Sequence, residues 1–379
     1  MPDNIERIYG LKQPNFILDP VADAEFYAKR TKVDLPRIVE GLRVDLITQV
    51  APKRLYYGPY GGGKTHTLTN TMLQLHHMTD GAIEYVRVEC PDMPRKATFN
   101  DLYREGIMRQ LGQSFVLTLL EDLLEHIGTV KPKELDEKLR TYLGDEDFVN
   151  AVSGLRRPKA DKILFWAWLS GVPVSKGDLE NLSQTQDLTA AEAARLADMI
   201  IAIARVVKEL RKKTLILILD EMERLKGVGP ETVITFRTAF TRLVDPSQKH
   251  LAVLIGASGK DLNELPDVFS SAAITSRLGD EAIVLIPHMV DPEVDQFIKD
   301  IIAHFRAAAP NINELLTKAK TQTTESMTPE LFPFTTEALQ KLKSKFKADI
   351  TPRDILLNMT KALGRAILSN QAVIAVQSV

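Results

Sequence analysis

The stretch Gly58-Pro59-Tyr60-Gly61-Gly62-Gly63-Lys64-Thr65 organises everything that can be read from this chain. It matches G-x-x-x-x-G-K-[ST], the spacing of a loop that wraps phosphate oxygens. Glycines let successive backbone N–H groups converge on one anion without Cβ clashes, and a helix opening near Lys64 adds the positive end of its dipole. In such a loop the lysine, here Lys64, reaches the β- and γ-phosphates, and the hydroxyl, here Thr65, coordinates Mg²⁺. His66, next in the chain, is counted with the loop in the nucleotide-binding set. The flanks agree: residues 54–57 read as a short strand, and Leu68, Met72 and Leu75 share one face of a following helix.

A phosphate site that hydrolyses also needs a carboxylate for Mg²⁺ and a base for water. Both are offered where the apolar run Leu215-Ile216-Leu217-Ile218-Leu219 ends in Asp220-Glu221. Ligands of open parallel sheets gather at strand carboxyl ends, so Asp220 is expected to hold Mg²⁺ and Glu221 to deprotonate the attacking water. Further strands are expected at residues 83–88, 251–256 and 282–286, with helical stretches between. That alternation predicts an α/β fold with a parallel sheet and crossover helices. Residues 1–50 read as a mostly helical segment leading into the site, with Phe26 and Arg30, and then Leu35, Ile38, Leu42 and Leu46, at spacings of three and four. An α/β domain over 51–290 follows, holding a helical insert at about 98–210 with stretches at 99–127, 159–169 and 190–210. The last stretch opens on a capping box, Thr189 with Glu192. After Pro287 the strand signal ends, and 291–379 reads as an all-α C-terminal domain with helices near 293–305, 335–346 and 352–369 and a loop at 319–333.

Three more positions carry chemistry. Ser258, after the strand at 251–256, can contact a γ-phosphate or serve as a plain turn residue. Arg277, in Ile274-Thr275-Ser276-Arg277-Leu278-Gly279, precedes the last strand and suits a transition-state arginine, with Arg224, Arg237 and Arg242 as rivals. Arg353, in Thr351-Pro352-Arg353-Asp354, sits at the helix end least favourable to a cation, which a phosphate contact explains. Other charges read more simply. Lys341, Lys343, Lys345 and Lys347 split over two helical faces, as on a solvated helix, and Arg211-Lys212-Lys213 closes a helix where cations are favoured. Adjacent His76 and His77 point to different faces and make no metal pair, and Trp166 and Trp168 read as core.

The composition sets the class. With 379 residues, 44 % hydrophobic, 26 % charged and 6 % aromatic, the chain can bury a core, which excludes disordered and disulfide-scaffold classes. A lone cysteine, Cys90, allows no intrachain disulfide and points to a reducing, cytoplasmic setting. The opening MPDNIERIYG lacks the pattern of a signal peptide, and no apolar run reaches the ~18 residues of a membrane span. Forty-eight basic against 50 acidic residues give a net charge of −2, so any nucleic-acid surface must come from local placement of charge.

Taken in order, GPYGGGKT, LILILDEMERL, the Ser258 turn, ITSRLGD and TPRD resemble the Walker A, Walker B, sensor 1, arginine-finger and sensor 2 elements of AAA+ ATPases. YVRVECP, TFNDLYREGIMRQLG and PFTTEALQKL are similar to the replication-initiator (origin-recognition) clade, and the chain, with FWAWLSGVPV, also resembles bacterial mobile-element and BREX-type phage-defence ATPases. The resemblance covers about 20–368. It implies ATP and Mg²⁺ as cofactors, Gly58 to Thr65 with His66 and Arg353 around the nucleotide, adenine beside residues 26–38, and a homo-oligomeric ring or filament whose Arg277 completes a neighbour's site. It further implies a switch or motor on DNA in replication, transposition or phage defence. The alternative is an oligomeric scaffold that recruits a protein effector and touches no nucleic acid. Initiators append a winged-helix domain; only residues 369–379 follow here, so DNA contact is expected to fall to the ATPase ring or to a partner subunit.

Overall fold

Five apolar runs become the strands of one parallel sheet: β1 Lys53–Gly58, β2 Ile83–Glu89, β3 Thr214–Asp220, β4 Leu251–Ser258 and β5 Ile283–Leu285, in the order β2-β3-β4-β1-β5. Each lies within two residues of its sequence expectation. The computed structural model describes every residue except 1, 21, 29, 31, 158, 159, 183, 185, 186, 190, 309, 310, 347 and 348, and for 2–4 the backbone alone. Lys347 of the basic run, and residues 159 and 190 at the starts of two expected helices, therefore lie outside the described residues.

The chain divides into two compact units, one formed by 1–35, 58–73 and 286–379 and the other by 36–57 and 74–285. The second holds the sheet. β2 pairs with β3 from Ile83–Thr214 to Glu89–Asp220, β3 with β4 from Leu215–Leu251 to Leu219–Ile255, and β1 with β5 from Leu55–Ile283 to Tyr57–Leu285. The chain leaves β1 for the far edge at β2, returns through β3 and β4, then crosses to β5. β3 is buried along its whole length, as a central parallel strand covered on both faces must be, which is why it is written Thr-Leu-Ile-Leu-Ile-Leu. Because all strands are parallel, their carboxyl ends share one edge.

Residues 99–127 were expected as one helix and are not. A first turn, Phe99–Asp101, widens into a π-helix at Leu102–Met108, closes through Arg109–Leu111 and stops at Gly112, whose φ is 79°; Gln113–Ile127 then starts afresh. Gly106 within the wide turn lies so close to β2 that a Cβ there would stand 2.8 Å from Val88 Cγ1. A close helix–strand approach has thus overridden the simple 3.6 period. Helices Pro132–Leu143, Glu146–Gly154, Lys162–Leu169, Lys176–Asn181 and Ala193–Arg211 follow before β3. Trp168, Phe148 and Phe165 are buried in one core cluster, with Trp166 packed against it. The capping box at Thr189 is a correction: the last helix starts at Ala193 with Glu192 at its N-cap, and Thr189 bonds Asp187 instead.

In the other unit, helices Asp291–His304, Thr336–Ser344 and Pro352–Leu368 pack around Phe16, Phe297, Ile301, Phe334 and Leu363, while Leu316 and Ala319 of the helix Ile312–Ala319 join a smaller cluster with Phe332, Val373 and Ala375. The first of these was expected from 293; Ile312–Ala319 was not expected and meets the stretch read as a loop only at Ala319. The helical reading of the N-terminal segment holds only at its ends, Pro2–Tyr9 and Leu35–Ile47; between 12 and 34 no described residue is helical. Pro14 and Pro20 interrupt the pattern, and the segment pairs elsewhere: Lys12 N–H donates to Phe305 O (2.8 Å) and Phe16 N–H to Thr360 Oγ1 (2.9 Å). The lysines read as a solvated face bind backbone or an acid: Lys341 donates to Val376 O (2.9 Å), Lys343 to Asp295 (2.7 Å), and Lys345 to Val379 O.

Candidate functional site

β1 hands the chain directly to the glycine loop, and the helix Lys64–Met78 begins at the motif's lysine. Glycine is required at Gly58 because a Cβ there would stand 2.0 Å from Ile286 O, and at Gly63 because its φ is +94°. Gly62 N–H donates to Pro59 O (3.0 Å), closing the loop. Lys64 is 7 % exposed, and its ammonium donates to Gly58 O (3.2 Å) and Pro59 O (3.0 Å), curled over the loop it belongs to. These carbonyls are weaker partners for the cation than a phosphate oxygen would be. Gly58→Ala is expected to lower the melting temperature sharply through the clash with Ile286 O. Gly41→Ala, mid-helix with nothing within 4 Å, should raise stability by about 0.5–1 kcal/mol; thermal melts of both variants check the pair.

Arg353 is gathered to the same loop. Thr351 caps its helix in a capping box with Asp354 (Thr351 N–H to Asp354 Oδ2, 3.1 Å), which offsets the dipole, while the Arg353 guanidinium carbon stands 4.8 Å from the centroid of the Tyr60 ring. Arg353 N–H also approaches Gly61 O at 3.4 Å. Tyr60 itself is 66 % exposed, so both groups face solvent together. His66 donates to Phe26 O, its ring lies parallel to Tyr27 (interplanar 11°), and Asn70 Nδ2 donates to Ala24 O (2.5 Å), which fastens the N-terminal segment along the first turns of the loop helix. Burial pushes the His66 pKa down, leaving the ring neutral near pH 7.

In the sheet-bearing unit the acidic residues are engaged with cations. Asp220, 1 % exposed, accepts from Arg87 Nη2 at 2.9 Å and from the Glu221 N–H at 3.0 Å. Glu221 holds the left-handed backbone conformation (φ 56°), uncommon outside glycine and a mark of a constrained position. Its carboxylate pairs with Arg224, which also contacts Glu89 (2.9 Å) and Cys90 O (2.5 Å). Burial, and then the neighbouring Glu89 carboxylate, push the Glu221 pKa up, the direction useful to a base. Ser258 at the end of β4 is held by Glu223: its hydroxyl donates to Oε1 (2.5 Å) and its N–H to Oε2 (2.9 Å). Arg277, half-buried on the helix Ala272–Leu278, donates to Ala273 O (2.7 Å), and the rival Arg237 reaches Asp267 O at 3.5 Å.

Sequence reasoning missed Glu223, Arg87, Glu89 and the site role of Arg30. A third carboxylate in Asp220-Glu221-Met222-Glu223 was the signal for the first. Arg30, which joins the loop at Gly62 to Glu293 of the helix Asp291–His304, had none beyond its spacing. Among the described residues there is no His/Cys/Asp/Glu group suited to a metal and no helix long and apolar enough to cross a membrane.

A parallel five-stranded sheet in this order, whose first strand feeds a glycine loop and helix, is an α/β fold with a strand–loop–helix unit of P-loop type, followed in the chain by further helices. No protein-family model and no curated protein matches the sequence. Among solved structures the chain is similar to Cdc6p from Pyrobaculum aerophilum, at 13 % identity over 94 % of this chain and 68 % of that one, with a TM-score of 0.45. It is also similar to the ORC2 protein of Aeropyrum pernix in ADPNP–ADP complexes (11 %, 95 % and 69 %, TM-score 0.48). A third is Drosophila ORC bound to DNA (13 %, 94 % of this chain, TM-score 0.45), of which the chain spans 63 %.

Proposed function

We propose that the chain binds and hydrolyses ATP with Mg²⁺ and works as an ATP-driven switch or motor on DNA. The observation that carries the first half is the loop: a glycine cradle at the end of β1, closed on itself, with a buried lysine resting on its carbonyls. For Lys64 and the Asp220–Glu221 pair to serve one nucleotide, their strands must end together. β1, which leads into the loop, and β3, which ends in the pair, are parallel strands of one sheet, so their carboxyl ends share an edge, where ligands of such sheets gather.

The donors fit Mg²⁺: the Thr65 hydroxyl and the Asp220 carboxylate are hard oxygens of the kind Mg²⁺ takes alongside substrate phosphates. Bound there, the ion would offset charge on the transferring phosphoryl group. Lys64 and the loop amides hold the phosphates, Glu221 takes the proton of the attacking water, and Ser258 orients that water once Glu223 releases it. Nucleotide-dependent movement of the helix bearing Arg353, Pro352–Leu368, supplies the switch, and the sequence resemblance assigns the base to residues 26–38.

The DNA half rests on the sequence resemblance to initiators. ATPase rate measured with and without double-stranded DNA, across a salt series, tests it. Stimulation that fades as salt rises supports it, since phosphate contacts release counterions. An ATPase indifferent to DNA at every salt concentration turns the assignment to a scaffold that recruits a protein effector.

A further inference from the structure

Arg30 is the least expected charge in the molecule. Its side chain is 7 % exposed and the residue belongs to no helix or strand, yet it reaches three separate parts of the chain. Nη1 donates to Gly62 O of the phosphate loop (3.1 Å), Nη2 donates to Pro287 O (2.6 Å), and Nη2 lies 3.9 Å from Glu293 Oε2. Glu293, with a side chain 0 % exposed, in turn accepts from Lys32 N–H (3.1 Å) and Val290 N–H (3.1 Å), the latter capping the helix Asp291–His304. One planar guanidinium therefore connects the loop, the exit from β5 and the first C-terminal helix.

Its contact with Gly62 has a geometric consequence. The peptide joining Gly62 to Gly63 is planar and trans, so fixing the carbonyl oxygen of Gly62 fixes the Gly63 N–H in the opposite direction. Gly63, at φ 94°, has no side chain to hold its own orientation. A loop that binds phosphate through its N–H groups needs those groups aimed before the anion arrives, because aiming them afterwards spends binding energy. Burying a charge pair is a poor way to gain stability, since desolvation offsets the attraction; its better-attested use is to define geometry. Lysine can replace the fork only in part: its ammonium has donors enough for two carbonyls, but it lacks the planar, spread geometry that holds them and the Glu293 carboxylate at fixed positions.

We propose that Arg30 is a positioning residue of the nucleotide site: it aims the Gly63 N–H through the Gly62 carbonyl and, through Pro287 and Glu293, couples phosphate occupancy to the start of the helix Asp291–His304. This rests on the phosphate-loop assignment made above. It makes the N-terminal segment part of the phosphate machinery, distinct from any contact with the base.

The test uses the full chain, with Mg·ATP affinity by calorimetry and amide hydrogen exchange over residues 291–304, in wild type, Arg30→Met, Arg30→Lys and Glu293→Gln. Arg30→Met should weaken Mg·ATP binding about tenfold or more, the loss expected of a charge-assisted bond. Arg30→Lys should recover only part of it. ATP should slow exchange over 291–304 in wild type and leave it unchanged in Arg30→Met and Glu293→Gln. A purely structural role would lower the melting temperature of every variant while leaving affinity and the ATP effect on exchange as in wild type, and that result overturns the proposal. Should Arg30→Met fail to fold, Arg30→Lys and Glu293→Gln carry the same two readouts. If wild type itself binds no ATP, the phosphate-loop assignment falls and this proposal with it; if wild type binds and the variants bind equally well, this proposal alone falls.

Discussion

Lys64→Ala is expected to lose ATP binding, and Glu221→Gln to keep it while turnover falls by roughly 10²–10⁴-fold, the usual contribution of a positioned general base. The two substitutions separate the halves of the site. Lys64 is a buried ammonium that donates to two carbonyls of its own loop, so its removal takes away the cation that would face the phosphates and leaves those carbonyls short of a donor. Glutamine at 221 keeps the size and the φ-positive backbone, and still accepts from Arg224, but it cannot take a proton from water. Nucleotide binding followed by a fluorescent ATP analogue, with phosphate release measured alongside, checks both. Hydrolysis by Glu221→Gln at the wild-type rate removes Glu221 from the base role. The next carboxylate to try is then Glu223, already within hydrogen-bond reach of Ser258.

What the sequence revealed of this protein follows the range of the forces involved. The loop and the strand Leu215-Ile216-Leu217-Ile218-Leu219 were legible because their causes are local: glycine at a tight turn, and unbroken apolar residues where a strand is covered on both faces. The wide turn at Leu102–Met108 was not, because it arises from Gly106 lying against Val88, and nothing in the period of residues 99–127 reports on a neighbouring strand. Phe26 and Arg30 imitated a helix by spacing alone, whereas neither is helical and the segment is held by His66, Asn70 and Glu293. Arg30 and its acceptor Pro287 are 257 positions apart, beyond the reach of any pattern. The acidic pair at 220–221 was legible as a strand end, but its pairing with Arg87 and Arg224 depends on which strand becomes its neighbour.

Arg277→Ala is expected to leave ATP binding nearly unchanged while lowering hydrolysis by as much as 10³–10⁵-fold, the range of a transition-state arginine. The sheet gives the reason for assigning it to a neighbouring subunit. Its helix, Ala272–Leu278, passes through one short turn, Asp280–Ala282, into the beginning of β5, on the amino edge of the sheet. Asp220 and Glu221 stand at the end of β3, on the carboxyl edge, so within the sheet-bearing unit Arg277 and the acidic pair belong to opposite ends of the strands. A second copy arranged head to tail would bring its Arg277 to the site that the first cannot complete, and repetition of that contact gives a ring or an open filament according to whether the rotation closes. A net charge of −2 opposes such association only weakly. Mixing Arg277→Ala with Lys64→Ala supplies the decisive measurement, because each lacks what the other retains. In equal mixtures about one quarter of randomly formed interfaces join an intact phosphate loop to an intact Arg277, so turnover should return to that order of the wild-type rate. Steady-state ATPase across mixing ratios, with mass followed by light scattering, reads both quantities. No recovery despite co-assembly, or full activity in a strict monomer, assigns Arg277 to its local hydrogen bond with Ala273 O and leaves the rival Arg237 and Arg242 to be tested in the same complementation.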